Sequence, residues 1–408
     1  MSNLPKGWEL VQFDKVCDIR DGTHDSPKYI ENGVPFITSK HLTDNGIDFT
    51  ETNYISEENH IEFSKRSKVD NGDILFGMIG TIGKPVIVNT DFEFSIKNVA
   101  LLKLSSNELL SNIYVLNLLK SNIIINQFLK LSNGGVQSFI ALGMIRKLKI
   151  PLPPIEEQKK IADILSTVDK KIAFVEENIN ATEELKKGLM QKLLTEGIGH
   201  TDFKDSELGK IPESWEVKSI GSLTSLTAGG TPSTQIKDYW NPKEVPWLSS
   251  GEVNKKIINF TDNMISKQGL NNSAAKFIPK YSVLIALAGQ GKTRGTVAIS
   301  EIELTTNQSV ASILPSEKLD MYFIYYNLDS RYEEIRSMST GVGGRGGLNL
   351  AILKSIKIAL PPQKEQKQIA EILSTVDKKL ENLKEKKQSF EELKKGLMQK
   401  LLTGEVRV

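Results

Sequence analysis

Glu183–Thr195 reads EELKKGLMQKLLT, and Glu391–Thr403 reads the same thirteen letters. The copies lie 208 residues apart, and the identity extends upstream at that offset. Ile164–Lys171 and Ile372–Lys379 both read ILSTVDKK, and Leu152-Pro153-Pro154 matches Leu360-Pro361-Pro362. About two-thirds of the positions from the prolines to Thr195 and Thr403 are identical, with no gap. Solenoid repeats recur every ~20–50 residues, so a period this long marks a duplicated half-protein.

Each copy reads as one long helix. The prolines suit a helix start. Glu156, Glu157 and Glu365 place negative charge in the first turn, where the macrodipole favours it. Apolar residues then recur with the four-three spacing of a coiled-coil seam, through Ile161, Leu165, Val168 and Ile172, and through Ile369, Leu373, Val376 and Leu380. Leu185, Leu189, Leu393 and Leu397 fall on a shifted phase, which predicts a change of winding at the same place in both copies. Gly197 and Gly404 mark the ends. A helix of ~40 residues is ~60 Å long. Its single seam needs a partner. An internal antiparallel pair is the simplest, with packing on the helix's own domain or on another chain as the alternatives. Gly188 and Gly396 inside the seam pattern suggest a close helix crossing or a kink.

The segments preceding the helices are related more faintly. Pro5–Glu9 resembles Pro212–Glu216, Asp21-Gly22-Thr23 resembles Gly229-Gly230-Thr231, and Val34–Ser39 (VPFITS) resembles Val245–Ser250 (VPWLSS). Short apolar runs at Asp73–Phe76, Val86–Val88 and Val283–Ala286 read as strands, and Leu109–Leu119 and Tyr322–Leu328 as helices. The expected fold is α+β: two pseudo-symmetric mixed domains with short strands, separated by two long antiparallel coiled-coil helices. The expected boundaries are 1–151, 152–197, 198–359 and 360–408, with Glu196–Ser214 as a polar linker.

Charge gives no simple sign of a nucleic-acid binder. The formal net charge is +2, and the four segments carry −1, −2, +2 and +3 in order. DNA binding by such a chain requires local patches or help from partners. Cys17 is the only cysteine, which excludes an internal disulfide and a multi-cysteine zinc site. No apolar run is long enough for a membrane helix, and MSNLPKGWEL does not have the pattern of a signal peptide, so a cytoplasmic location is expected.

Catalytic motifs fail on inspection. Gly289–Thr293 lacks the earlier glycine of a P-loop, since position 286 is Ala286. It is read instead as a turn offering Lys292, Thr293 and Arg294 to phosphate, or as a plain turn. Gly341–Gly347 contains G-x-G-x-x-G but follows a charged stretch rather than a strand. Its counterpart is Gly134–Ser138, and the two loops carry Arg345 and Gln137, side chains suited to guanine and adenine edges. No Pro-Pro-aromatic methyltransferase motif occurs, Glu216-Val217-Lys218 is a chance nuclease-like fragment, and the four histidines show no metal-ligand spacing. Candidate DNA contacts are Thr23, Lys40, Lys84, Gly134, Gly135, Gln137 and Ser138 in the first half. Those in the second are Thr231, Ser250, Lys292, Thr293, Arg294, Gly343, Gly344 and Arg345.

The ordered set, Leu-Pro-Pro with Glu157-Gln158 and Glu365-Gln366, Ile-Ala-x-Ile-Leu, and the closing Lys-Gly-Leu-Met-Gln-Lys-Leu-Leu-Thr, resembles the specificity subunits of type I restriction-modification systems over the whole chain. Asp205–Trp215 also looks like that family's entry to its second domain. The resemblance implies a non-catalytic subunit whose two target recognition domains each read half of a bipartite, asymmetric double-stranded DNA site. Its helices would set the spacer and dock two methyltransferase subunits, with motor-nuclease subunits joining through them. It implies no cofactor on this chain; S-adenosylmethionine and ATP with magnesium belong to the partners. A coiled-coil scaffold or adaptor that never reads DNA is the alternative.

Overall fold

The computed structural model describes residues 4–79, 83–131, 139–289, 291–339 and 347–408. The chain divides into two compact units, one of residues 1–177 with 385–408, the other of residues 178–384. Each unit therefore combines one variable segment with part of each long helix, Ile155–Leu193 and Gln363–Thr403.

The first unit is built on a four-stranded antiparallel sheet, in the order Asp18–Asp21, Val99–Lys103, Ile74–Gly77, Pro85–Ile87. Alternate side chains enter two different cores. Ile74, Phe76, Ala100 and Leu102 join Tyr114, Leu118 and the helix residues Ile161, Leu165 and Leu401. Leu75, Val99 and Leu101 join Ile37, Phe94 and Ile96 on the other face. Burial on both faces explains why these strands read as unbroken apolar runs rather than alternating ones. The second unit repeats the plan with a five-stranded sheet, Leu226–Ala228, Val310–Ile313, Val283–Ala286, Val297–Ser300, Ile257–Ile258. Val283, Ile285 and Ile313 face a core shared with Phe323, Ile369 and Leu373, and Leu284, Ala286 and Val310 face a smaller one. The helices begin at Asn112 and Met321, where Ser111 and Asp320 cap the first turn; the residues before Asn112 are a turn rather than helix.

In each unit the first and last strands of the variable segment pair with each other. Glu9–Gln12 runs antiparallel to Lys149–Leu152, and Glu216–Ser219 to Lys357–Leu360. The chain thus enters and leaves at one place, directly before a long helix. The Glu-Gln pair of that helix start seals the joint. Gln158 accepts the Ser111 backbone N–H at 3.0 Å and donates to the Leu109 and Pro153 carbonyls at 2.9 Å. Gln366 accepts from the Asp320 N–H at 2.9 Å and donates to the Pro361 carbonyl at 2.9 Å. Glu157 accepts the Trp8 indole N–H at 3.0 Å and two N–H groups of Arg407, from Nη2 at 2.8 Å and Nε at 3.1 Å. Glu365 accepts the Trp215 indole N–H at 3.1 Å and lies 2.8 Å from His200 Nε2. The tail after one helix therefore supplies a cationic or imidazole group to the start of the other, within the same unit.

The helix contacts are antiparallel in each unit. Asp169 pairs with Lys394 at 2.6 Å and Glu176 with Lys387 at 2.9 Å in the first. Lys186 pairs with Asp377 at 2.6 Å and Glu183 with Lys384 at 2.9 Å in the second. Ile161, Leu165, Val168, Ile369, Leu373 and Leu380 are buried, and Ile172, Leu189, Val376 and Leu397 are half-buried.

The expected phase slip is absent. From Ile179 the seam continues at unbroken spacing through Thr182, Lys186, Leu189 and Leu193, and in the second helix through Lys387, Phe390, Lys394, Leu397 and Leu401. Lysine stems fill seam positions while their ammonium groups reach carboxylates on the facing helix. Leu185 and Leu393 are not core residues; they are 51% and 49% exposed. The close crossing at Gly188 and Gly396 is also absent, since a Cβ at either meets nothing within 4 Å. The linker is not featureless: Phe203–Ser206 and Gly209–Pro212 form an antiparallel hairpin, with Gly209 at φ +93° in the turn and Ile211 buried. Cys17 is buried, which pushes its thiol up to about 12. Both helices run into a left-handed glycine, Gly197 at φ +70° and Gly404 at φ +74°.

Two outcomes follow from these joints. Gly188→Ala and Gly396→Ala should each raise stability by about 1 kcal/mol in thermal or urea unfolding, because helical glycine carries an entropic cost and no neighbour opposes the methyl. The Arg407 and Trp8 hydrogen bonds hold the Glu157 carboxyl below its ordinary range. A depressed acid stabilises the fold above the unfolded carboxylate value and loses that contribution as pH falls through its folded value. Glu157→Gln should lower the melting temperature at neutral pH, and the gap to wild type should close as pH falls below about 4.

Candidate nucleic-acid interface

The sheet registers decide which loops meet. In the first unit Asp21 pairs with Ala100 and Val99 with Gly77. The residues beyond those pairs, Gly22–His24, Lys97–Asn98 and the approach to the hairpin tip after Gly77, therefore share one end of the sheet. Ile140 N–H donates to the Met78 carbonyl at 2.7 Å, so the chain flanking the first glycine-rich loop returns to that same end. In the second unit Ala228 pairs with Ala311 and Ala286 with Val310. This gathers Gly229–Thr231, Asn307–Ser309, Leu287–Gly289 and Gly291–Thr296, and Leu348 N–H donates to the Leu287 carbonyl at 3.1 Å beside the second glycine-rich loop.

The motifs recognisable in both halves are the ones that build this end. A Cβ on Gly22 would lie 2.3 Å from the Ile96 carbonyl oxygen, and one on Gly229 would lie 2.0 Å from that of Thr306. Only glycine lets the strand pass so close. The VPFITS and VPWLSS segments arrive alongside: Lys97 N–H donates to the Ile37 carbonyl at 2.8 Å, and Asn307 N–H to that of Leu248 at 3.0 Å. Each then turns into a short 3-10 segment closed by a capping box, Thr38 with His41 and Ser249 with Glu252.

The structure distributes the sequence candidates unevenly. Thr23 is buried, and its hydroxyl accepts the Asp25 N–H at 3.0 Å, so it shapes the turn instead of presenting a contact. Its backbone N–H donates to the Ile96 carbonyl as that of Gly230 does to Thr306, so the structural equivalent of Thr231 is His24, not Thr23. Lys40 is exposed and Ser250 half-buried on their 3-10 turns. Lys84 pairs with Asp44 at 3.2 Å. Lys292 is exposed, and Thr293 accepts from the Asn254 amide at 3.4 Å. Arg294 donates to the Ser339 hydroxyl at 3.3 Å. Gly134, Gly135, Gln137, Ser138, Gly343, Gly344 and Arg345 lie outside the described residues.

Two neighbouring groups escaped sequence reading. Tyr332 donates its hydroxyl to the Lys292 carbonyl at 2.8 Å and accepts from Arg336 at 2.8 Å, which brings Arg336 beside Lys292 and Arg294. Their only sequence signal is an i,i+4 Tyr-Arg spacing before the glycine-rich loop. In the first unit Arg66 pairs with Asp21, whose carboxylate lies 3.0 Å from His24 Nε2, and His24 Nδ1 lies 2.7 Å from Asn98 Oδ1. Exposed hydroxyl, amide and cationic groups on a sheet end suit hydrogen bonding to base edges and phosphate. Among the described residues, no cluster of three or more His, Cys, Asp or Glu side chains has the arrangement of a metal site, and no helix is long and apolar enough to cross a membrane.

The glycine crossings give a direct check. Gly22→Ala and Gly229→Ala should each cost about 2 kcal/mol or more in chemical unfolding, because backbone must move to admit the methyl. A control at Gly251, where a Cβ meets nothing within 4 Å, should not.

Comparison with known proteins follows the same division. Residues 5–184 and 212–392 each match the family described as type I restriction modification DNA specificity domain. The chain is 32% identical to a putative type I restriction enzyme MjaX specificity subunit of Methanocaldococcus jannaschii, over 100% of this chain and 96% of that protein. It is 28% identical to the MjaVIII specificity subunit of the same organism, over 99% and 94%. Its fold is similar to the type I restriction-modification S subunit from M. genitalium, with a TM-score of 0.62 at 15% identity over 98% and 97% of the two chains. The HsdS subunit from Thermoanaerobacter tengcongensis gives 0.51 at 18% over 99% and 98%.

Proposed function

This chain belongs to the type I restriction-modification DNA specificity family, and we propose that each of its halves reads one half of a bipartite, asymmetric double-stranded DNA site through the sheet end described above. The observation that carries this reading is the recurrence of that end: the same three chain segments converge in both units, yet the side chains they present differ. A device that reads two unlike half-sites needs a shared frame with unlike contact residues.

On this reading the long helices set the spacer and dock two methyltransferase subunits. Leu185 and Leu393, exposed and at equivalent positions of identical segments, suit two copies of one partner. The partners, not this chain, use S-adenosylmethionine to methylate adenine at N6, and motor-nuclease subunits with ATP and magnesium join through them. The near-neutral charge fits an assembly in which partner subunits supply much of the phosphate contact.

Replacing residues 1–151 with the corresponding segment of another specificity subunit should change one half of the methylated motif and leave the other intact, as mapped by N6-methyladenine sequencing of the reconstituted methyltransferase. A motif unchanged in both halves would favour a scaffold that never reads DNA.

A further inference from the structure

Each sheet end carries a carboxamide in the same place. Asn98 follows the short strand Ser95–Ile96 and precedes Val99–Lys103; Gln308 follows Thr305–Thr306 and precedes Val310–Ile313. Each amide oxygen lies within hydrogen-bond distance of the side chain two residues beyond the crossing glycine. His24 Nδ1 lies 2.7 Å from Asn98 Oδ1, and the Thr231 hydroxyl donates to Gln308 Oε1 at 2.5 Å. His24 is itself braced by Asp21, which Arg66 anchors. Asn98 sits at φ +52°, a left-handed conformation that asparagine tolerates better than most residues. Among the described residues, neither amide nitrogen has a hydrogen-bond partner.

An amide with its oxygen fixed and its N–H groups unspent is oriented before any ligand arrives. The carbonyl keeps a second lone pair. Such a group donates to N7 and accepts from N6 of adenine in the major groove, a pairing that asparagine and glutamine both make. We propose that Asn98 and Gln308 are equivalent specificity-determining residues, each reading an adenine edge in its own half-site. The proposal rests on each half being a DNA reader, and it goes further by assigning the contact and the base.

The test uses the chain assembled with its methyltransferase subunits and a plasmid library randomised across both half-sites. Asn98→Asp and Gln308→Glu keep size and shape but replace the amide donor with an acceptor that suits cytosine. Asn98→Asp should cut the preference for adenine at one position of one half-site by about 5- to 150-fold, and Gln308→Glu should do so only in the other half. Thr231→Ala, which frees the Gln308 amide without removing it, should weaken the same preference to a lesser degree. Melting curves and co-purification with the partner establish that each variant is folded and assembled. An unchanged motif at the wild-type rate overturns the proposal, as does a uniform loss across all bases. If exchanging residues 1–151 still alters one half-site while Asn98→Asp does not, this assignment fails and the general reading stands; if the exchange alters nothing, the reading itself fails.

Discussion

A salt bridge made twice fixes the register of the helices. Asp169 of one ILSTVDKK segment binds Lys394 of one EELKKGLMQKLLT segment, and Asp377 binds Lys186. The two repeated motifs are therefore each other's partners, which explains why both recur. Each bridge is about four-fifths buried at the lysine. Its energy is modest, on the order of 1 kcal/mol for such partly solvated pairs. Its larger effect is selective: this register sets each of these seam lysines against a carboxylate on the facing helix. Asp377 also accepts the Tyr326 hydroxyl at 2.8 Å, so in that unit the register is tied to the domain body.

The second constraint is the joint between domain and helix. Gln158 and Gln366 are almost fully buried, and each satisfies backbone groups at the start of a neighbouring helix as well as the carbonyl before its own. Replacing either leaves buried donors and acceptors unpaired, the costliest kind of polar loss. The paired prolines, the glutamate and the glutamine form one device that converts a strand into a helix at a defined place. The two copies differ in how the tail meets the glutamate: Arg407 grips Glu157 with two hydrogen bonds, while Glu365 lies against His200 and accepts the Ile198 backbone N–H.

Much of this was legible in the sequence because duplication exposes what both halves must keep. The helix extents, the two-domain plan and the strands at Ile74–Gly77 and Val283–Ala286 were readable from periodicity and apolar runs. The helix phase was misread for a physical reason. Leu185 and Leu393 attract a pattern that counts apolar residues, whereas the seam there is filled by the stems of Lys186 and Lys394. Thr23 looked like a contact because it sits in a repeated motif, yet the motif recurs to let one strand cross another. Asn98 and Gln308 carried no signal at all. They differ in identity, lie in segments of drifting length, and acquire meaning only when three distant stretches are brought to one sheet end.

The two-sided burial of each central sheet has an evolutionary consequence. Stability resides in strand interiors packed on both faces, while the exposed side chains of the loops at one end lie outside either core. Exposed residues there, the crossing glycines excepted, can be rewritten by mutation without spending the fold's thermodynamic margin. Selection for a new target sequence and selection for a folded protein thus act on separate sets of positions. A lineage under pressure to change what it recognises can drift rapidly at the loop end while its cores and helices stand still.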